Sequence, residues 1–338
     1  MEDRRRKGAK RNPPYKYSIE RVPEFLRLFE RKDTVLILID PDPDSLASAL
    51  AVKRLLRSRI QRAAIAGIKE IQRLDNLAMV KLLKIPLVKS DDLNPDDFSR
   101  KVLLDAQPHH HVSLAPYAFD AIIDHHPRTR DLRAPFVDVR PEYGANSTIL
   151  IEYLRVARIK PSTKLATALL FAIRADTAKF ERSGGEADVR QFQYIFRFAN
   201  RSLLQKIEKS EFRIKDLRYF QRALENRAIG KKGLLVHLGK IPNPDICVQI
   251  ADFFMRVHGL GWSFVSGICD DQLIVILRND GYHKDAGRLA SHAFGMYGPA
   301  GGHRGAARAE LPLSSLREKG VKVSEPGLEK FLKQRLKL

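Results

Sequence analysis

The sequence has few of the residues that mark disulfide-stabilised or membrane-spanning proteins. Its 338 residues include two cysteines, one tryptophan and four methionines. Cys247 and Cys269 are too few for a disulfide framework and lack C-x-x-C spacing, which favours a reducing cytoplasm. Apolar runs such as residues 35–39 and 273–277 are far shorter than the roughly 18 residues of a membrane span, and no apolar leader follows the basic N-terminus. We therefore expect a cytoplasmic protein with no membrane partner.

Acidic side chains are in the minority, with 40 Asp and Glu against 60 Lys and Arg, so that the net charge is +20. Residues 1–16 carry a net +5 and residues 316–338 a net +4, which leaves +11 for the body. A basic body favours polyanionic partners, because Lys and Arg displace counterions from phosphates. The basic tail alone is interpreted as a solvated segment. A hydrophobic content of 44% is enough for a substantial core and excludes a wholly disordered chain.

The apolar pattern predicts two domains, with an α/β fold in each. From residue 34 onward short apolar runs alternate with helical spacing, as in a parallel sheet with helices on both faces. After Gly230 the strands follow one another directly, which favours a smaller mixed sheet. The expected segments are a basic tail and lead-in (1–30), a first domain (31–205), a helical linker (206–230) and a second domain (231–338).

Individual strands and helices can be placed from the same pattern. In the first domain the predicted strands are 34–39, 62–67, 101–105 and 120–124, and the predicted helical segments are 45–58, 71–84, 145–158, 162–175 and 187–228. In the second domain they are strands 233–238, 262–269 and 272–278, helices 244–258 and 284–295, and a glycine-rich loop at 298–305.

Carboxylates and imidazoles follow the predicted strands of the first domain. Asp40, Asp42 and Asp44 follow the first strand; the others are Asp105, Asp124 with His125 and His126, and Asp176 after a helical run. The carboxyl ends of parallel strands form one edge, where open α/β sheets bind ligands. Carboxylates with one or two imidazoles suit Mn²⁺, Mg²⁺ or Zn²⁺, and a pair of ions can activate water against a phosphoryl group.

Each of these motifs has a simpler interpretation when taken alone. Asp and Pro clusters such as residues 40–44 are commonly turns, with an Asp capping the next helix. Asp105 could be a turn residue, and Asp176 a surface acid. Three strand ends that carry acids in succession are much harder to explain as turns, so together they favour a metal site.

The motifs resemble those of the DHH phosphoesterase superfamily with a C-terminal DHHA1 domain, which includes RecJ-type exonucleases, nano-RNase/pAp-phosphatase proteins and cyclic-dinucleotide phosphodiesterases. The family's H-x-N-P-D-x-D-x-x-G-S reads 38-LIDPDPDSLAS-48 here, and its second motif is matched by Asp105. The naming motif is 124-DHH-126, the fourth is 176-DTAKF-180, and the G-G-H signature lies in 298-GPAGGHRGAARA-309. The resemblance covers residues 33–312.

The resemblance implies a role for each matched residue and places the active site in the cleft between a catalytic DHH domain and a substrate-binding DHHA1 domain. Asp44, Asp105, His125 and Asp176 match the ligands of one ion, with Asp105 bridging, and Asp42 matches a ligand of a second ion. Asp105, His126 and His303 are the implied catalytic residues. The implied substrate-binding residues are Arg278, Gly301, Gly302, His303 and Arg304.

The first motif departs from the family pattern at a metal ligand. Leu38 stands where the family has His, Asp40 replaces Asn, and Ala47 replaces Gly. Leucine cannot bind a metal, so three outcomes are open. Asp40 could supply an oxygen ligand, one of the imidazoles at 109–111 could supply the missing nitrogen, or the enzyme could hold a single ion. Mn²⁺ is the expected cofactor, as one or two ions, with Mg²⁺ as the alternative.

The resemblance predicts a metal-dependent phosphoesterase acting on short oligonucleotides, linear dinucleotides or pAp-type nucleotides, in which a metal-activated water attacks phosphorus. The chain length favours this small-substrate branch. One alternative is a RecJ-like exonuclease on single-stranded nucleic acid, guided by the basic surface. The other is a nucleotide-binding or regulatory protein whose catalysis is weakened by Leu38. Assembly into an oligomer is left open.

Overall fold

The computed structural model describes residues 16–181, 184–210, 212–230, 233–281 and 284–337. The basic tail at 1–15 lies outside the described residues. The chain forms two compact units that divide between residues 211 and 212, within the stretch where a linker is expected. No helix in these described ranges is both long enough and apolar enough to cross a membrane.

The first unit is built on a six-stranded sheet of order β3-β2-β1-β4-β5-β6 in which every neighbouring pair is parallel. The strands are β1 (Thr34–Ile39), β2 (Arg62–Gly67), β3 (Leu87–Lys89), β4 (Arg100–Leu104), β5 (Ala121–Asp124) and β6 (Phe136–Val139). The helices are α1 (Lys16–Arg27), α2 (Pro43–Leu56), α3 (Leu74–Leu83), α4 (Asn146–Val156), α5 (Thr163–Asp176), α6 (Glu186–Phe196) and α7 (Arg201–Glu208).

The two faces of this sheet are covered differently. On β1, Val35, Ile37 and Ile39 pack into a core that includes side chains from all seven helices. Leu36 and Leu38 point the other way, into a second apolar cluster completed by loop and 3₁₀ residues such as Leu114. The prediction of helices on both faces is therefore corrected. The segments that connect β3 to β4 and β4 to β5 form only 3₁₀ turns, because they lack the apolar spacing of an amphipathic helix.

The strand order brings three strand ends together. β1 lies between β2 and β4, so the chain leaves β1 toward one side of the sheet and leaves β4 toward the other. Such a switch point opens a crevice at the carboxyl edge. Ile39 is in register with Leu104, and Leu104 with Ile123, so Asp40, Asp105 and Asp124 occupy successive positions along that edge.

The second unit is built on a mixed six-stranded sheet of order β11-β12-β10-β9-β8-β7, in which only β8 and β9 are parallel. Its strands are β7 (Ala228–Gly230), β8 (Gly233–Lys240), β9 (Trp262–Cys269), β10 (Gln272–Asn279), β11 (Ala300–Gly302) and β12 (Ala306–Pro312). Its helices are α8 (Leu217–Glu225), α9 (Asp245–Phe254), α10 (Ala286–Phe294), α11 (Leu313–Glu318) and α12 (Glu325–Leu336). Here helices do cover both faces, α8 and α9 on one and α10 to α12 on the other.

The α/β fold class with a parallel and a mixed sheet is thus confirmed. The glycine-rich segment is more ordered than a loop, since Gly301 and Gly302 belong to β11 and pair with β12. A Cβ on Gly287 would lie 2.4 Å from the carbonyl oxygen of Gly302, so this glycine is what lets α10 approach the strand.

Candidate metal centre

The centre of the site is Asp105, the residue that follows β4. Its backbone is left-handed, with φ of 59°, a conformation that costs a non-glycine residue about 1 kcal/mol or more. The backbone N–H of Asp105 donates to the carbonyl of Ile123 at 2.9 Å, which ties the strained residue to the neighbouring strand. The carboxylate is buried beneath the edge of the sheet. Strain of this kind persists where the surrounding structure imposes it, and it is concentrated at functional sites.

His125 presents one ring nitrogen to the carboxylates. Its Nδ1 lies 3.1 Å from the carbonyl oxygen of Tyr143, and because a carbonyl only accepts, Nδ1 carries the proton. In the neutral ring the lone pair is therefore on Nε2, which faces Asp105 Oδ1 at 3.3 Å, Asp176 Oδ2 at 3.3 Å and Asp44 Oδ2 at 4.0 Å. Fixing a ligand imidazole through its other nitrogen is a general feature of metal sites.

Asp44 is held by the start of α4. Its Oδ2 accepts from the backbone N–H of Asn146 at 2.5 Å and its Oδ1 from that of Ser147 at 2.7 Å. These are unpaired first-turn N–H groups, which favour a negative charge. Asp176, the last residue of α5, supplies the third carboxylate. Ligand atoms from Asp44, Asp105, His125 and Asp176 all lie within 4.8 Å of one another.

The negative charges of the buried carboxylates repel one another. Burial, followed by the charge of Asp176, raises the pKa of Asp44 well above its usual range. Burial and the charge of Asp44 do the same to the pKa of Asp105. Burial lowers the pKa of His125, but the neighbouring carboxylates of Asp105 and Asp176 outweigh it and raise that pKa to about 12. Such a site favours a positive charge at its centre.

The donor atoms fit a divalent cation. Asp105 Oδ1 and His125 Nε2 are both buried and have no hydrogen-bond partner. Buried polar atoms nearly always have a hydrogen-bond partner. Two unpaired atoms that face each other therefore indicate that both bind the same cation. Ligands about 2.1 Å from one ion and at right angles to each other lie roughly 3 Å apart. The 3.3 Å separations in this group are close to that value.

The remaining first-motif residues lie beside this group. Asp42 is the N-cap of α2, since its Oδ1 accepts from the N–H of Ser45 at 2.8 Å, as the turn-and-cap alternative expects. Burial and the charge of Asp176 raise the pKa of Asp42. Asp40 pairs with Lys69 at 2.7 Å. Leu38 is fully buried in the apolar cluster on the other face of the sheet.

His126 is oriented by Asp124 and Gln107. The Nδ1–H of His126 donates to Asp124 Oδ1 at 2.8 Å, and Gln107 Nε2 donates to Asp124 Oδ2 at 2.7 Å. Burial raises the pKa of Asp124, but these hydrogen bonds outweigh it and lower that pKa. Gln107 Oε1 in turn accepts from the N–H and hydroxyl of Thr129. The His126 ring is 45% exposed, and its Nε2 carries the lone pair.

A cavity of about 230 Å³ opens beside these residues. It is lined by Asp40, Pro41, Asp42, Lys69, Asp105, Ala106, His110, His111, Leu114 and His126. The rings of His110 and His126 have centroids 5.4 Å apart. His109 lies next to Thr129 and is absent from the lining.

The sequence analysis missed Gln107 and Lys69. Gln107 is fully buried and connects the segment after β4 to the one after β5, yet nothing in its sequence context distinguishes it from a surface glutamine. Lys69 lines the cavity from the end of β2, a position that could have been suspected from the strand order alone.

The predicted substrate-binding residues belong to the second unit. The guanidinium of Arg278 donates to Asp252 Oδ1 at 2.7 Å. The carbonyls of His303 and Arg304 accept from the first N–H groups of α10, and the N–H of His303 donates to the carbonyl of Ala306. The strands β11 and β12 form an antiparallel hairpin around this turn. The substrate-binding role of these residues stays a prediction.

Comparison with known proteins identifies the fold. The sequence matches no protein-family model. An uncharacterized protein of Methanocaldococcus jannaschii is 35% identical over 287 residues, which are 84% of this chain and 59% of that protein. The chain thus spans about three fifths of the length of the curated relative it matches.

Among solved structures, an exopolyphosphatase-related protein from Bacteroides fragilis is similar with a TM-score of 0.71 at 17% identity, covering 94% of this chain and 96% of that one. A putative family II inorganic pyrophosphatase from Methanococcus jannaschii has a TM-score of 0.45 at 15% identity, with 88% and 99% covered. RecJ from Thermus thermophilus in complex with Mn²⁺ has 0.47 at 12% identity, with 95% and 58% covered. The first of these similarities establishes the fold.

Proposed function

We propose that this chain is a metal-dependent hydrolase of phosphoester bonds, because its motifs resemble those of the DHH phosphoesterase superfamily and its fold is similar to that of an exopolyphosphatase-related protein. The observation that carries the proposal is the pair of orphaned buried atoms, Asp105 Oδ1 and His125 Nε2, inside a group of four metal-ligating side chains. Three carboxylates with one imidazole suit Mn²⁺, with Mg²⁺ as the alternative.

Each side chain has a distinct role in this proposal. Asp44, Asp105, His125 and Asp176 hold the ion, which when bound supplies the Lewis acidity that activates water and draws charge from the phosphoryl group. His126 accepts a proton from the attacking water at Nε2. The carboxylate of Asp124 stabilises the imidazolium that results, because it already accepts from Nδ1–H.

One ion is better supported than two. Leu38 lies in an apolar cluster on the opposite face of the sheet, and Asp40 is neutralised by Lys69. Asp42 is left as the acid that a second ion would share with Asp105. The same observation about Leu38 favours the second candidate function, a nucleotide-binding protein with weakened catalysis.

The proposed substrates are short oligonucleotides, linear dinucleotides or pAp-type nucleotides. The net charge of +20 supports an anionic substrate. A cavity of about 230 Å³ supports a small reacting end. In the second unit, the proposed substrate-binding residues are Arg278, Gly301, Gly302, His303 and Arg304. Two free buried cysteines support a reducing compartment, the cytoplasm.

The test is hydrolysis of a labelled dinucleotide pApA, of pAp and of a single-stranded 24-mer, each with Mn²⁺, with Mg²⁺ and with a chelator. Asp105→Asn is the blank, because asparagine tolerates the left-handed backbone while removing the charge. Asp131→Asn, an exposed acid, is the matched control.

Mn²⁺-dependent cleavage of pApA or pAp, absent from Asp105→Asn and intact in Asp131→Asn, is the expected result. Shortening of the 24-mer alone, with steep salt dependence, would favour the RecJ-like alternative. Nucleotide binding without cleavage of any substrate would contradict the hydrolase and leave the binding protein.

A further inference from the structure

We propose that His110 and His111 form an anion-binding wall of the cavity and donate hydrogen bonds from Nε2–H to phosphoryl oxygens of the substrate, rather than binding a metal. The inference deepens the proposed function and rests on it. The ligand it assigns is a phosphate monoester or diester group, bound beside the metal-ligating carboxylates.

The argument begins with the backbone around His110. The N–H of Gln107 donates to His110 Nδ1 at 3.2 Å. A ring nitrogen that accepts a hydrogen bond has no proton of its own, so in the neutral ring the proton is on Nε2. The Nε2 of His110 is therefore a donor and has no lone pair to offer a metal.

The tautomer of His111 is fixed in the same way, by a different backbone N–H. The N–H of Ser113 donates to His111 Nδ1 at 3.2 Å, which again leaves the proton on Nε2. His110 is the last residue of the 3₁₀ turn Pro108–His110, and His111 is the N-cap of the next turn, Val112–Leu114. Leu114 anchors the second turn in the apolar cluster below the sheet, so the donors are held on a fixed backbone.

In the two imidazoles of the DHH motif, the ring proton is on the other nitrogen, Nδ1. His125 and His126 both donate from Nδ1, to the Tyr143 carbonyl and to Asp124, so that in the neutral rings the lone pair is on Nε2. As neutral rings, the four imidazoles thus divide into two that accept at Nε2 and two that donate there. Acceptors suit a cation and donors suit an oxyanion.

The alternative, in which His110 replaces the missing ligand at Leu38, conflicts with the hydrogen bonds. His110, Asp124 and His126 have ligand atoms within 4.8 Å of one another. However, Asp124 already accepts from the N–H of His125, from His126 and from Gln107, and His110 Nδ1 accepts from Gln107. An ion there would have to displace several of these bonds.

The position of the two histidines agrees with a phosphate site. His110 and His111 line the cavity together with Asp105 and His126, so a group bound to them is adjacent to the reacting centre. Lys69 lines the same cavity and neutralises Asp40, with which it pairs at 2.7 Å. The two N–H donors on a fixed backbone are therefore the groups offered to phosphoryl oxygens.

The experiment compares His110→Ala, His111→Ala and His110→Gln with His109→Ala as the matched control, because His109 is an exposed neighbour that does not line the cavity. Mn²⁺ binding is measured by titration calorimetry without substrate. Inhibition by inorganic phosphate and the separate kcat and KM for pApA are measured with saturating Mn²⁺.

All four variants are expected to bind as many Mn²⁺ ions as the parent protein. His110→Ala and His111→Ala should weaken phosphate inhibition and raise KM by about tenfold or more, the effect of losing a hydrogen bond to a charged group, with kcat within a few fold. His110→Gln retains an N–H donor near the Nε2 position and should recover most of the loss.

Loss of an ion from His110→Ala would make His110 a metal ligand and overturn the inference. Phosphate inhibition equal to that of His109→Ala would overturn it as well. Failure of the parent protein to bind Mn²⁺ or to hydrolyse any substrate would instead overturn the proposed function, so the two failures are distinguishable.

Discussion

At the scale of single residues, the chemistry of this site depends on which nitrogen of each histidine carries the proton. Asp124 matches the first letter of the motif, yet the grouped metal-ligating atoms of Asp44, Asp105, His125 and Asp176 do not include it. It accepts from three donors and fixes the ring of His126. Under the proposed function, Asp124 is therefore a positioning residue that acts through His126.

Asp124→Asn tests this positioning role. The amide cannot both accept from His126 Nδ1–H and keep the bond to Gln107, so His126 loses its preferred tautomer. Activity on pApA should fall about 10- to 100-fold, the usual cost of removing a partner of a site residue. Mn²⁺ binding by calorimetry should persist, because the four ligands are untouched.

The exposed variant Asp131→Asn controls for a general effect of acid removal. Loss of Mn²⁺ from Asp124→Asn would show that Asp124 is a ligand and would contradict the positioning role.

At the scale of elements, a buried charge network joins β6 to α4. The guanidinium of Arg140 donates to Asp138 at 2.7 and 2.9 Å and to Glu152 Oε2 at 2.9 Å. The hydroxyl of Ser18, from α1, donates to Glu152 at 2.6 Å. The network ties α1, β6 and α4 together and so supports the N-terminus of α4, which holds Asp44.

Arg140→Met should destabilise the first unit by about 3–5 kcal/mol, because Asp138 and Glu152 are left buried without their counter-charge. The measurement is the free energy of unfolding in urea. Arg133→Met, at an exposed position of the same segment, should cost less than about 0.5 kcal/mol. A loss below about 1 kcal/mol in Arg140→Met would mean that the two acids find other partners.

The strand β8 carries a buried histidine that makes stability depend on pH. Nδ1 of His237 pairs with Ser266 Oγ at 3.0 Å, while its Nε2 is buried without a partner. Burial lowers the pKa of His237 to about 4; nearby Glu325 opposes the shift and Arg222 adds to it. As the pH falls, His237 is protonated near pH 6.5 in the unfolded chain but only near pH 4 in the folded chain. The free energy of unfolding therefore decreases as the pH falls from 6.5 to about 4.

Between pH 7.5 and pH 5.0 the contribution of His237 is roughly 2 kcal/mol. His237→Asn keeps an amide near the Nδ1 position and does not titrate, so its unfolding free energy should decline less than that of the parent protein over this range. His258→Asn, at an exposed histidine, should leave the pH profile unchanged. Equal profiles for the parent and His237→Asn would contradict the assignment.

At the scale of the whole molecule, the implied metal ligands all belong to the first unit, although the basic charge is spread along the chain. Binding of an ion should therefore stabilise the first unit in particular. An ion that binds only the folded state adds about 2.7 kcal/mol when its free concentration is one hundred times Kd.

Added Mn²⁺ should raise the Tm relative to chelator and increase amide protection around residues 40–48, 105–107, 124–126 and 146–147, as measured by hydrogen exchange. Asp176→Asn should lose both effects, and Asp131→Asn should keep them. Protection confined to the second unit would place the ion elsewhere and contradict the site.

Much of this arrangement follows from local sequence. Strands β1, β2, β4 and β5 each contain a run of at least three apolar residues that can be recognised, and the acids at the ends of three of them identify the edge of the sheet. Strands β3, β6 and β11 have three or four residues each and contain no such run, and they form because a neighbouring strand offers hydrogen bonds.

The order of the motifs, the parallel sheet and the acids and imidazoles at its edge can be read from the residues alone, because these features depend on periodicity and on strand ends. Folding was needed to show that helices cover one face of the first sheet, that Leu38 is core, and that Gln107 and Tyr143 orient the histidines. These features depend on contacts between residues far apart in the chain. Which nitrogen of His110 carries a proton is fixed by a hydrogen bond, and residue types alone do not specify hydrogen bonds.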